Sequence, residues 1–536
     1  MQSKINRREN TMKLAELFQN GMVLQREKPV TVWGTADPGA AVTVSIQGRS
    51  ASAVADAQGN WELQLPALEA SGSERLEDVS KEEKICLEDV AVGEVWIAGG
   101  QSNMEFPLCY EKHWAQEKNT ENPELRFYDV PEVCYDGQEQ DFDYSNMGVW
   151  RKADGEDNLK YFSAVAYYFQ KAIAENQKVP VGIVGCNWGG TRACAWMNEE
   201  TVKRVGKPWM ELFERDTADL DMEEFWEEQH TNPMNDKGNV NMDPMNAFIL
   251  SGTPTMEEIV AMARQAMGQA KEAGGTESTE NLPEMSFEEG MAKYANTPQP
   301  FNFPGCLYEH MVKKASPFTA RGVLWYQGES DDVPGMQALY KDMLTGLIGD
   351  WREIFRDSEL PFYIVQLPGY RSWMMQAGID FPTIRRCQEE VAESVGGAYL
   401  CSISDVGEEF DIHPKDKKTV GNRLALLAEK YTYGEELLAD APVVESASRE
   451  DGRIVLNFRN AGSGLTVDGD QVSALTLSRD GREIPFEACA DGGRLILTPE
   501  SLPDNSVKVD FAQTGWYRIN LYNSAGIPAI PFSVRV

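Results

Sequence analysis

Five short runs of uninterrupted apolar residues constrain this chain more than anything else in it. They are Val-Trp-Ile-Ala-Gly-Gly (95–100), Val-Gly-Ile-Val-Gly-Cys (181–186), Gly-Val-Leu-Trp-Tyr-Gln-Gly (322–328), Phe-Tyr-Ile-Val-Gln-Leu (362–367) and Ala-Tyr-Leu-Cys-Ser-Ile (398–403). A strand with one wet face alternates apolar and polar side chains, so a run without alternation marks a strand buried on both faces. Helical stripes lie between the runs. Residues 158–177 put Phe162, Val165, Tyr168, Phe169 and Ala172 on one side, and residues 339–355 behave likewise. Buried strands alternating with helices predict a parallel α/β sheet whose functional groups sit at the strand C-terminal ends.

The two ends of the chain follow a different rule. Residues 14–90 and 442–536 alternate apolar and polar positions between turn signals, which predicts small antiparallel β-modules on both flanks. A chain of 536 residues exceeds one typical core. We therefore expect a β-domain at 1–90, an α/β domain at 91–435 and a second β-domain at 436–536. At about 200–300 the alternation breaks, and two helical segments, 256–273 and 286–295, predict a mostly helical insertion. Such an insertion would serve as a lid or wall near the site, as the interface of a homo-oligomer, or equally well as a purely structural decoration.

Composition excludes several classes. A formal charge of −35 argues against nucleic acid, whose backbone needs clustered Lys and Arg. No run of eighteen apolar residues is present, so no membrane helix is expected. The polar stretch at 1–18 does not read as a secretory leader, and the expected location is the cytoplasm. The nine cysteines are scattered without a C-x-x-C pair, which argues against a disulfide framework and against zinc. Neither metal nor cofactor is expected.

The strand ends carry the chemistry. The first run leads into Gly99-Gly100-Gln101-Ser102, where glycines permit a sharp turn and a following helix would aim N–H groups at developing negative charge. Alone, Ser102 would serve equally well as a helix cap. A nucleophilic serine needs a base, and the chain has four histidines, His113, His230, His310 and His413. Only His413 follows a buried strand at a workable distance, in the loop after the fifth run. A carboxylate must orient its imidazole. Asp411 is the first choice and Asp405 the second, and a dyad oriented by a backbone carbonyl stays open. Gly189 and Gly190 after the second run, and Gln327 after the third, offer donors for an oxyanion together with the N–H of Ser102.

Gly-Gln-Ser-Asn-Met (100–104), Trp-Gly-Gly-Thr (188–191), Trp-Tyr-Gln-Gly-Glu-Ser (325–330) and Asp-Ile-His-Pro (411–414) resemble the sialate O-acetylesterase family of the SGNH-hydrolase superfamily. Residues 20–44 resemble the family's N-terminal β-domain and residues 516–532 its C-terminal end, so nearly the whole chain is covered. The resemblance implies a flavodoxin-like catalytic sheet and metal-free hydrolysis of acetyl esters on a carbohydrate. It implies Ser102 as nucleophile, His413 as base and Asp411 as third member. Gly190 then stands at the block-two glycine and Gln327 at the usual block-three asparagine. Position 331 is Asp where the family often has Asn, and residues 200–300 have no counterpart that aligns.

For the sugar, the expected contacts are Glu105, Trp188, Arg192, Tyr326 and Glu329, with Trp196, Tyr370 and Arg371 behind them. Aromatic faces stack on sugar rings and charged groups take hydroxyls. Two other readings stand beside this one. One is an acetylesterase of xylan- or mannan-derived oligosaccharides, and a distant third is a sugar-binding protein without activity.

Overall fold

The computed structural model describes residues 12–80, 83–232, 235–238, 244–252, 258, 298–373, 376–503 and 505–536. The five apolar runs form a parallel sheet. We label its strands β1 (Glu83–Gly100), β2 (Glu121–Asp129), β3 (Trp150–Asp154), β4 (Val181–Asn187), β5 (Gly322–Tyr326), β6 (Phe362–Val365) and β7 (Ala398–Cys401). Their order across the sheet is β3-β2-β4-β1-β5-β6-β7, and only the edge pair β3–β2 is antiparallel. Strands β4, β5 and β6 are buried at every position, as unbroken apolar sequences require.

Helices cover both faces. α1 (Ser102–Glu105) is a single turn after β1. α2 (Ala164–Gln177) and α5 (Lys417–Tyr431) pack together on one face, and α3 (Tyr340–Ile354) and α4 (Phe381–Ser394) on the other. Side-chain caps set three of the starts. Ser163, Asp380 and Asp416 each accept a backbone N–H of the following first turn. The Ser163 cap explains why the helical stripe predicted over 158–177 splits, with a short turn at Glu156–Leu159 before α2 begins.

The N-terminal strands are continuous with this sheet. β1 is an 18-residue strand whose first half pairs with Ser71–Ser80 and whose middle pairs with Val23–Gln25. The sequence boundary at 90/91 therefore falls inside one strand, and a single apolar cluster runs from Met12 to Ala439. The C-terminal segment differs. Two four-stranded antiparallel sheets between Val443 and Arg535 surround a separate cluster that includes Ile454, Leu477, Leu497 and Phe511. The helical segments expected at 256–273 and 286–295 lie outside the described residues apart from Glu258. Before them stand helices Glu199–Val205, Lys207–Thr217, Met222–His230 and Pro244–Ser251. No helix among the described residues is long and apolar enough to cross a membrane.

Candidate active site

The C-terminal ends of the parallel strands converge on a pocket of about 410 Å³ lined by Ser102, Glu105, Trp188, Gly190, Glu329 and His413, among others. Each wall follows a strand. Ser102 comes after β1, Trp188 and Gly190 after β4, Glu329 after β5, and His413 from the loop between β7 and α5. Hydrogen bonds between strand ends hold the walls in register. Gln101 Oε1 accepts the N–H of Ser330 at 3.2 Å, and Glu105 Oε2 accepts the N–H of Gly189 at 2.5 Å.

His413 Nε2 lies 2.9 Å from Ser102 Oγ, so the residues paired by elimination are in hydrogen-bond contact. The imidazole is 5% exposed, with Trp373 edge-on against it at 4.9 Å between ring centroids. Burial first, then the charges of Lys417 and Lys415, holds His413 well below the ordinary histidine range. A neutral imidazole with Nε2 facing a serine hydroxyl is the state a general base needs.

The orienting carboxylate is less direct than the sequence reading assumes. Asp411 Oδ1 stands 3.8 Å from His413 Nδ1, beyond hydrogen-bond reach, and accepts the backbone N–H of His413 at 2.8 Å instead. Nδ1 is buried with no hydrogen-bond partner among the described residues. Asp411 also pairs with Lys415 Nζ at 2.9 Å, and burial pushes its carboxyl up. Asp411 thus fixes the backbone of the histidine loop and places negative charge nearby. The second choice, Asp405, forms a two-pronged pair with Arg423 at 2.6 and 2.8 Å and takes no part in the pocket.

Gln327 is corrected outright as an oxyanion donor. Its amide donates to Thr191 O at 3.1 Å and to Asp331 Oδ2 at 2.5 Å, and its oxygen accepts from Tyr340 Oη at 2.9 Å. Both N–H donors are taken, and the side chain is absent from the pocket wall. Alternation along β5 is the cause. Trp325 faces α3, packing 5.7 Å from Trp351, Tyr326 faces Lys417 of α5, and Gln327 returns to the α3 side. Both glycines after β4 line the pocket, but Gly189 gives its N–H to Glu105, while Gly190 stands at φ 76°.

The expected sugar contacts divide. Glu105, Trp188 and Glu329 line the pocket. Arg192 does not, since its guanidinium sits 5.0 Å over the ring of Trp209. Tyr326 and Trp196 are fully buried in the core, Tyr370 stacks on Phe381 at 5.1 Å, and Arg371 pairs with Glu409 at 3.0 Å. Residues the sequence reading missed complete the walls. Trp373 comes from a two-residue strand too short to leave a pattern. Lys237 pairs with Glu132 at 2.8 Å and lies 4.9 Å over Trp188, from a stretch read as part of an insertion.

Among the described residues, one group holds metal-ligating atoms close together, Glu111, His113 and Asp416. These atoms already serve other partners. His113 Nδ1 meets Glu111 Oε1 at 2.6 Å, and Asp416 pairs with Lys112 at 2.7 Å while capping α5.

Comparison with known proteins finds similarity to carbohydrate esterases. A family profile described as carbohydrate esterase, sialic acid-specific acetylesterase matches residues 286–425. The sialate O-acetylesterase of Mus musculus is 26% identical over 582 residues, covering 98% of this chain and 94% of the mouse protein. That of Homo sapiens is 25% identical and covers 81% of this chain and 73% of the human one. Among solved structures, a carbohydrate acetylesterase from Xanthomonas citri superposes with a TM-score of 0.73 at 28% identity, over 98% of this chain and 99% of that one.

Proposed function

We propose that this chain, which belongs to the sialate O-acetylesterase family of carbohydrate esterases, removes acetyl groups from sugars with Ser102 as nucleophile and His413 as general base. The observation that carries the reading is the 2.9 Å contact between Ser102 Oγ and Nε2 of the buried His413, both of which line the pocket. Ser102 Oγ attacks the acetyl carbonyl carbon while His413 Nε2 takes its proton. The N–H groups of Ser102 and Gly190 hold the resulting oxyanion, each contributing roughly 10²–10³ in rate. His413 passes the proton to the departing sugar oxygen, leaving an acetyl-Ser102 ester. Water, deprotonated by the same imidazole, then attacks that ester. Acetate leaves and Ser102 regains its proton from His413. Asp411 acts as a nearby negative charge and a backbone anchor, not as a direct Nδ1 partner.

The five-strand order β4-β1-β5-β6-β7, with β1 first in sequence, supports a flavodoxin-like SGNH catalytic core. The separate C-terminal cluster supports a distinct β-domain from about residue 436.

The substrate is an acetylated sugar, with O-acetyl sialate as the first reading. Ser102→Ala and His413→Ala should each abolish acetate release from an aryl acetate. Activity surviving either change overturns the mechanism. Rates on 9-O-acetyl sialic acid compared with acetylated xylo- and manno-oligosaccharides then decide between the two substrate readings.

A further inference from the structure

One buried side chain ties the serine turn to the histidine loop. Asn103, the residue after Ser102, is 1% exposed, and its Nδ2 donates to Ile412 O at 2.9 Å and to Glu329 Oε1 at 2.6 Å. Ile412 is the residue before His413. The Asn103 Oδ1 accepts from Lys417 Nζ at the start of α5. Lys417 is itself fully buried, with its ammonium 4.7 Å over the ring of Phe106 and 5.4 Å over that of Tyr326. The amide therefore joins the end of β1, the end of β5, the histidine loop and α5.

Resting on the reading of Ser102 and His413 as the reacting pair, we propose that Asn103 is a positioning residue. Its amide holds the histidine loop against the serine turn, and Lys417 and Glu329 lock its orientation. Rotating the amide would set an N–H against an ammonium and an oxygen against a carboxylate, so only one orientation satisfies all of its neighbours. An amide is suited to this place because it donates to Ile412 O and Glu329 while accepting from Lys417. Neither a carboxylate nor an apolar group does both.

The arrangement also sets charge around the imidazole. Lys417 of α5 and Lys415 of the histidine loop act on His413 itself, Asp411 stands 3.8 Å from its Nδ1 with Glu408 acting on Asp411 in turn, and Glu105 of α1 and Glu329 after β5 line the same pocket. Burial brings Lys417 down to about 7, so it is charged in the acid range where His413 takes up its proton.

Steady-state kinetics of the full chain on 4-nitrophenyl acetate test the proposal. Asn103→Ala is expected to lower kcat by about 10–100-fold with KM changed by less than about threefold, because the reacting atoms are misplaced while the pocket remains. Asn103→Asp keeps the volume but loses both N–H donors and is expected to lose as much. A folded Asn103→Ala or Asn103→Asp protein with kcat within about threefold of the parent overturns the proposal. Should neither variant fold, Lys417→Met decides it. That change removes the lock on Asn103 and one cation beside His413. The expected result is a lower kcat, with the acid limb of kcat/KM moved to higher pH because the imidazole protonates more readily. A parental kcat and an unmoved limb overturn the proposal. Ser102→Ala, run in parallel, separates the two readings, since its retention of activity would remove the reacting pair itself.

Discussion

β1 and β5 lie side by side with Gly100 opposite Tyr326, and each strand leaves the sheet through a glycine in the left-handed region, Gly100 at φ 140° and Gly328 at φ 142°. The turns then part company. After β1 the chain enters α1 and turns Ser102 into the pocket. After β5 it buries Gln327 beneath the floor and brings only Glu329 and Ser330 to the wall. Two similar glycine turns thus supply the proposed nucleophile on one side and a brace on the other. The difference comes from which face of the sheet each side chain meets, and not from the residue type.

The sharpest way to break this comparison uses the two serines. Both Ser102 and Ser330 line the pocket, and Ser330 Oγ accepts from Gln101 Nε2 at 3.2 Å. Ser102→Ala is expected to cut acetate release by about 10⁴-fold or more, and Ser330→Ala by less than about threefold. A comparable loss at Ser330 would mean that the β5 end takes part in the chemistry.

The two glycines give the next effect. A Cβ on Gly100 would stand 2.1 Å from Tyr326 O, a backbone atom held in the neighbouring strand, whereas one on Gly328 would meet the Cγ2 methyl of Ile384 at 3.0 Å. Gly100→Ala should therefore cost about 2–5 kcal/mol in urea unfolding, and Gly328→Ala about 1–3 kcal/mol, mostly from its backbone angle. Equal costs would show that the turn angle alone governs both positions.

Gln327→Leu sharpens the comparison from the other side. An oxyanion donor would lose roughly 10²–10³ in kcat on removal. The brace seen here should instead lose about 1–3 kcal/mol of stability, because Thr191 O loses its side-chain donor and Asp331 loses one of its two, while kcat of the folded protein stays within a few-fold.

The legible part of this molecule was its backbone logic. Unbroken apolar runs announced the parallel strands, glycine turns marked their ends, and four histidines with one after a buried strand led to His413. The illegible part was side-chain direction and long-range pairing. Gln327 and Tyr326 sit one residue apart in sequence yet on opposite faces of β5, and a start one residue earlier in the strand would have exchanged their roles. The fusion of β1 with the N-terminal strands was hidden because alternating and continuous patterns meet within one 18-residue strand. Asn103 escaped notice because its partners, Glu329, Ile412 and Lys417, are distant in the chain and none forms a local motif with it.

Asp331 carries the smallest expected effect and the most specific one. Its Oδ2 accepts from Gln327 Nε2 at 2.5 Å and from Ala193 N at 2.9 Å, while Oδ1 is buried without a partner. Burial pushes its carboxyl up to about 6. A carboxyl raised on folding binds its proton more tightly in the native state, so its contribution is most favourable below the ordinary carboxylate range and is lost as pH rises through about 6. Asn at this position, which the sialate O-acetylesterase family often carries, keeps an oxygen for both donors and removes the buried charge. Asp331→Asn is therefore expected to match the parent near pH 5 and to exceed it near pH 8 by on the order of 1 kcal/mol, since weaker neutral hydrogen bonds offset part of the gain. Thermal melting at the two pH values reads the difference directly. A loss of equal size at both would mean that the two N–H donors hold Asp331 ionised throughout, and that the brace under β5 depends on its charge.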